Sequence, residues 1–299
     1  MDEERAYLAS VWAETHNMVR EGMGSDAAAP GVVGHPLNPF PAQKSIELFL
    51  RAPRELETAL GGREVASLSV FEGDCVDVAI DLARRGYRPL LMDAGSRAHF
   101  GGGYENGARA QEEELCRRSN LAEIMDPQYG QENSFYPLPA EACIYVPNVS
   151  FFRHGKSKGY RLLEDGPVTV AVGIIAAFRN PTVVAGKLRP DIAEATREML
   201  SNFFHVARCR GNDACVCVAL GCGAYRNPVA DILRCFDDAL ADVGATDKER
   251  PCAIRHVAFA VFDDANAEKN KESHLNPHGN FAPFATHFGS RGATVVRQK

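Results

Sequence analysis

The chain has 299 residues, is 45% hydrophobic and 24% charged, and carries a formal net charge of −6. That length allows one large domain or two modest ones, and the apolar share is enough for a true core. The acidic balance disfavours a grip on long duplex nucleic acid through bulk charge, and no apolar run approaches the ~20 residues of a membrane-spanning helix.

Residues 2–22 read as an amphipathic helix with Asp2 placed to cap it, and residues 24–42 as a Gly-, Ala- and Pro-rich loop or extended wrap. The Met-Asp-Glu-Glu start lacks the basic opening and apolar stretch of a signal peptide, so a cytoplasmic location is expected. From residue 65 the pattern changes. Strands are expected at 65–71, 88–94, 143–149, 168–176, 214–222 and 254–264, and helices at 75–86, 108–126, 191–209 and 229–242. The buried-looking strands are apolar without alternation, which suits a sheet covered by helices on both faces. Strand–helix alternation then argues for a three-layer α/β domain. Residues beyond about 264 are polar with scattered Phe and yield no assignment from pattern. Phe281, Phe284 and Phe288 are expected to dock that tail. The nine cysteines include no Cys-x-x-Cys pair and several lie in apolar runs, as in ACVCVALGC (214–222), so reduced buried thiols are expected.

Several common motifs are absent: the dinucleotide fingerprint (Asn106 stands where its third glycine would), the P-loop, the H-E-x-x-H zinc motif and the G-x-S-x-G elbow. Two loops remain. FGGGYENGARAQEEELCRRSN (100–120) leaves the 88–94 strand and enters a helix, at the strand ends where α/β sheets bind ligands. Gly101, Gly102 and Gly103 permit close approach of a ligand to the backbone, and Gln111, Glu112 and Glu113 fall in the first turns of that helix. GCGAYRNP (221–228) likewise leaves an apolar strand for a helix, and its glycines and helix N-terminus suit a diphosphate, with Tyr225 as a lid or stacking surface. Successive helical residues point ~100° apart, so Glu114 is expected on the solvated face. Arg117 and Arg118 are expected to solvate the same helix. Asp74, after the first core strand, suits a helix N-cap. His274 and His278 are four apart, but Pro277 works against a regular metal-binding face.

The GGG–seven residues–QEE pattern resembles the signature of poly(ADP-ribose) glycohydrolases, and the surrounding chain is most similar to their bacterial and microbial-type branch. NGARAQEEELCRRSNL (106–121), IYVPNVSFFR (144–153), ALGCGAYRNPVADI (219–232) and HVAFAVFDD (256–264) extend the similarity in the family's order. The resemblance implies a macrodomain-like α/β/α mixed sheet at 61–299, with an N-terminal helical extension at 1–60. It implies a glycosidase that cuts ribose–ribose bonds of poly(ADP-ribose) and releases ADP-ribose without cofactor or metal. Glu113 would be the catalytic carboxylate, and Glu112 would orient the reacting ribose. Gly101–Gly103, Gln111 and Asp93 would line the ribose and diphosphate. Gly221, Cys222, Gly223, Ala224, Tyr225 and Asn227 would form the second diphosphate loop, and Asp74 would meet the adenine amino group. The partners implied are the polymer or ADP-ribosylated macromolecules, handled by a monomer. Asp93, Phe100 and Tyr225–Arg226 depart from the family's usual Asn, Pro and Phe–Gly. The alternatives are a module that binds ADP-ribose without turnover and an enzyme that removes single ADP-ribose units.

Overall fold

In the computed structural model, residues 2–20, 46–52, 66–125, 135–244 and 253–297 are described. The expected loop at 24–42 and the 60/61 boundary lie outside them. The centre is an eight-stranded sheet of β1 (Glu47–Phe49), β2 (Ser67–Glu72), β3 (Pro89–Ala94), β4 (Cys143–Phe151), β5 (Val168–Ile175), β8 (Ala214–Cys217), β9 (His256–Val261) and β10 (Thr294–Val296). A two-stranded ribbon, β6 (Val183–Val184) with β7 (Lys187–Leu188), lies apart from it. The spatial order is β1-β4-β5-β3-β8-β9-β2-β10. The six strands from β5 to β10 in that order run parallel, and β4 is antiparallel to both β5 and β1.

The helices cover both faces, which explains the unbroken apolar runs. On one face α5 (Pro190–Cys209), α6 (Val229–Asp242) and α8 (Phe281–Gly289) close a core around Phe203, Phe236 and Phe259. On the other, α2 (Cys75–Arg84), α3 (Gln111–Arg118) and α4 (Leu121–Met125) pack Ile80, Leu115 and Leu121 against Leu91 and Ile144. Helix α1 (Glu3–Arg20) lies over the loop that leads into α3: Leu8 and Val11 are buried, and Thr15 donates to the Arg117 carbonyl at 2.7 Å.

The expected helix at 108–126 is two helices. Ser119 Oγ donates to the Leu115 carbonyl (2.7 Å) and accepts from the Leu121 amide (3.1 Å), while Asn120 Oδ1 accepts from the Ser150 amide (2.8 Å). These local side-chain bonds give the backbone an alternative to the helical ladder. The expected 214–222 strand ends at Cys217, and the remainder turns into the ligand-side loop. The unassigned tail forms α7 (Ala265–Glu272), α8 and the parallel edge strand β10. Phe284 and Phe288 of α8 pack on Phe259, whose ring stacks on Phe288 at 4.1 Å. The first 60 residues contribute a sheet strand, β1, as well as a helix.

Candidate active site

The C-terminal ends of β2, β3, β5, β8 and β9 face one cavity of about 520 Å³. Both loops singled out in the sequence reach it. Glu112 and Glu113 sit in the first turn of α3 and are only 4% and 6% exposed. Glu112 Oε2 accepts the Ser96 amide at 3.3 Å, and Glu113 Oε1 accepts the Gly103 amide at 3.0 Å. Each carboxyl keeps a buried oxygen, Glu112 Oε1 and Glu113 Oε2, without a protein partner. Burial pushes the Glu112 carboxyl up to about 8, and the charge of Glu113 adds to this against the pull of the Gly101 and Ser96 amides. The pair therefore keeps a proton at neutral pH.

Gly102 is required by this arrangement. Its φ is +57°, and a Cβ there would land on Glu113 Oε1. The neighbouring Gly101 has φ +80° and would meet the Tyr104 ring. The whole loop is clasped from outside by α1. Trp12 packs against Tyr104 with ring centroids 5.0 Å apart, and Arg109 pairs with Asp2 (2.7 Å) and Glu4 (2.8 Å). Asp2 also accepts the Arg5 amide, the cap expected from sequence.

Of the residues singled out, Asp74, Gly102, Gln111, Glu112, Glu113, Gly221, Gly223, Ala224 and Tyr225 line the cavity. Asp93, Cys222 and Asn227 are fully buried behind its wall. Both Asp93 oxygens lack a partner, and burial, then the charges of Glu112 and Glu113, hold its carboxyl well above the usual range. Asp93 thus lies beneath the site, with no face on the cavity. Gln111 has structural work: Oε1 accepts the Ala94 amide and Nε2 donates to the Met92 carbonyl, both at 2.8 Å, fixing α3 to β3. Asp74 Oδ1 caps α2 through the Val76 (2.9 Å) and Asp77 (3.0 Å) amides and also accepts from Arg118 (2.6 Å).

The second loop is shaped from behind. Asn227 Nδ2 donates to the Phe178 (2.8 Å) and Gly221 (3.1 Å) carbonyls, and Asn270 of α7 donates to those of Cys222 (2.8 Å) and Gly223 (3.0 Å). Asn276 Oδ1 takes the Val229 amide, the first of α6, at 2.9 Å. The residues of this loop that line the cavity are Gly221, Gly223, Ala224 and Tyr225. Tyr225 is half-buried on the cavity wall. Arg226, with φ +58°, faces outward and donates to Ser273.

The expectation of solvated charges along α3 fails. Arg117 and Arg118 are fully buried. Arg118 joins Asp74 and Asp77, and Glu114 accepts from Arg117 (2.9 Å) and from the Tyr160 hydroxyl (2.6 Å). Sequence reasoning also passed over the far side of the cavity, formed by Arg179, Phe262, Asp264, Asn266 and Asn280. For Arg179, Phe262, Asp264 and Asn266 the one signal was position, just past the ends of β5 and β9; Asn280 arrives from the start of α8.

A mixed sheet between two helical layers, with one crevice at the parallel strand ends and a carboxylate pair on a helix start, defines a macrodomain-like α/β/α protein. Residues 41–154 match the family model described as "Microbial-type PARG, catalytic domain". Poly(ADP-ribose) glycohydrolase from Thermomonospora curvata has the same fold: TM-score 0.69 and 26% identity, covering 94% of this chain and 98% of that one. The structure of that enzyme bound to the inhibitor ADP-HPD matches with TM-score 0.66 and 26% identity over 95% and 98% of the two chains. The Deinococcus radiodurans enzyme in complex with ADP-ribose matches with TM-score 0.61 and 27% identity over 82% and 94%. No curated protein matches the chain. In both the family model and the fold, this chain resembles microbial-type poly(ADP-ribose) glycohydrolases.

Proposed function

We propose that this chain is a glycosidase that hydrolyses the ribose–ribose O-glycosidic bonds of poly(ADP-ribose) and releases ADP-ribose. The observation that carries the reading is the Glu112–Glu113 pair: buried, facing one cavity and set against a three-glycine loop. The solved relatives bind ADP-ribose or ADP-HPD by their descriptions, and the cavity here is of a size for such a ligand.

Cleavage of this bond passes through an oxocarbenium-like state, so the leaving oxygen must be protonated and a water must be activated. The proton held by the Glu112–Glu113 pair passes through Glu113 to the leaving ribose oxygen as the glycosidic C–O bond breaks. As carboxylate Glu113 then takes a proton from the water that adds to the anomeric carbon, and is restored. Glu112 hydrogen-bonds to hydroxyls of the reacting ribose and holds the ring in register. The backbone of 101–103 and 221–225 approaches the diphosphate, where a side chain would intrude. Asp93 sits below the pair, where burial and then the neighbouring Glu112 and Glu113 disfavour its charged form.

The test is to incubate the wild-type protein with poly(ADP-ribose) and, separately, with a singly ADP-ribosylated protein, and to follow free ADP-ribose. Release from the polymer with slow release from the single modification is expected. Binding of ADP-ribose with no release from either substrate would sink the enzyme reading.

A further inference from the structure

The cavity has an unusual charge balance for an anionic ligand. Asp74, Glu112, Glu113, Glu114 and Asp264 line it, against two arginines, Arg109 and Arg179; the buried Arg118 and Arg117 already pair with Asp74 and Glu114 from behind. Arg109 is neutralised by Asp2 and Glu4 of the N-terminal helix. Arg179 has no carboxylate partner among the described residues, and it is exposed at the cavity rim. Its backbone is nevertheless fixed. On one side the Phe178 carbonyl accepts Asn227 Nδ2 (2.8 Å), and the Arg97 guanidinium lies over the Phe178 ring at 4.7 Å. On the other, Asn180 adopts φ +47° and donates its amide to the Tyr225 carbonyl at 2.9 Å. Both backbone ties run to the 221–228 loop, so Arg179 and that glycine loop form one wall.

From this geometry we infer that Arg179 is the cation that pairs with the diphosphate of the ligand, and so determines affinity for phosphate-bearing substrates. The inference rests on the proposed ADP-ribose ligand and goes beyond it by naming the group that offsets the site's acidity. A guanidinium offers two parallel N–H donors to phosphate oxygens, and a free one needs no existing bond to be broken first. The backbone amides of the glycine loop hold the same group by dipoles alone, without a net positive charge.

Calorimetry with ADP-ribose and with adenosine, at low and at physiological ionic strength, tests this on wild type, Arg179→Ala and Arg179→Lys. Arg179→Ala is expected to bind ADP-ribose about ten- to a hundredfold more weakly, the scale of a lost hydrogen bond to a charged group. Adenosine binding stays unchanged, the Lys variant falls between, and the wild-type advantage shrinks with added salt. Unchanged ADP-ribose affinity in Arg179→Ala overturns the inference and leaves the proposed ligand standing. Equal weakening for adenosine also overturns it, because the residue then acts by packing. Failure of wild type to bind ADP-ribose removes the ligand itself and the inference with it.

Discussion

At the residue scale the site is a problem of two carboxyl groups, Glu112 and Glu113, buried side by side. Glu112 goes from an ordinary 4.5 to about 8 because its charge is desolvated and Glu113 is adjacent. Between those pH values the folded protein holds a proton that the unfolded chain has released. Stability therefore falls as pH rises from about 4.5 through about 8, and no further cost accrues from this group above that. Glu112→Gln removes the liability. Thermal unfolding should show it close to wild type near pH 4 and more stable at pH 9, by on the order of a few kcal/mol at ~1.4 kcal/mol per pKa unit. Equal pH slopes for the two proteins would contradict the burial argument. The glutamate pair and its glycine loop were readable because everything they need lies within fourteen residues of one strand-to-helix turn. The burial of Arg117 and Arg118 was not. Their helix reads as charged throughout, and the groups that permit burial, Asp74, Asp77 and Tyr160, come from distant parts of the chain.

At the element scale, the strand-to-helix units were legible where a single residue face decides them, as in β3, β9 and α6. They failed where a side chain from elsewhere cut an element short. Asn120 and Ser119 end α3, and the last residues of the 214–222 run leave the sheet because Asn227 and Asn270 capture their carbonyls. The tail carried no periodic signal because α7 is a polar helix, held by two buried asparagines, Asn270 and Asn276, more than by an apolar stripe. The junction between α2 and α3 makes a measurable claim. Arg118 joins the N-cap of α2 to the end of α3 and also donates to the Arg153 carbonyl at 3.1 Å. Arg118→Met keeps the apolar stem but strands the Arg153 carbonyl and both acids. A loss of about 2–4 kcal/mol in urea unfolding is expected. A change within experimental error would show that the buried guanidinium contributes no net stability.

At the scale of the whole molecule, the sheet supplies five strand ends to one cavity, α1 clasps the first loop from outside and the C-terminal elements brace the second from behind. A ligand in that cavity touches both halves of the fold, so it should stabilise the protein as one unit. At ~100 times its dissociation constant, ADP-ribose should add about 2.7 kcal/mol by mass action, visible as a rise of several degrees in melting temperature. The same concentration of adenosine should produce a smaller shift. Fold class was readable early because strand–helix alternation and unbroken apolar strands admit few architectures. How the two ends of the chain close over the site was not, because that depends on contacts such as Trp12–Tyr104 and Asn276–Val229 that no local pattern announces. The central claim is that Glu113 moves the proton in glycosidic cleavage. The most direct measurement is release of ADP-ribose from poly(ADP-ribose) by Glu113→Gln beside wild type, with ADP-ribose affinity of both proteins determined in parallel. The expected result is a rate about 10²–10⁴ lower with affinity retained; release as fast as wild type would contradict it.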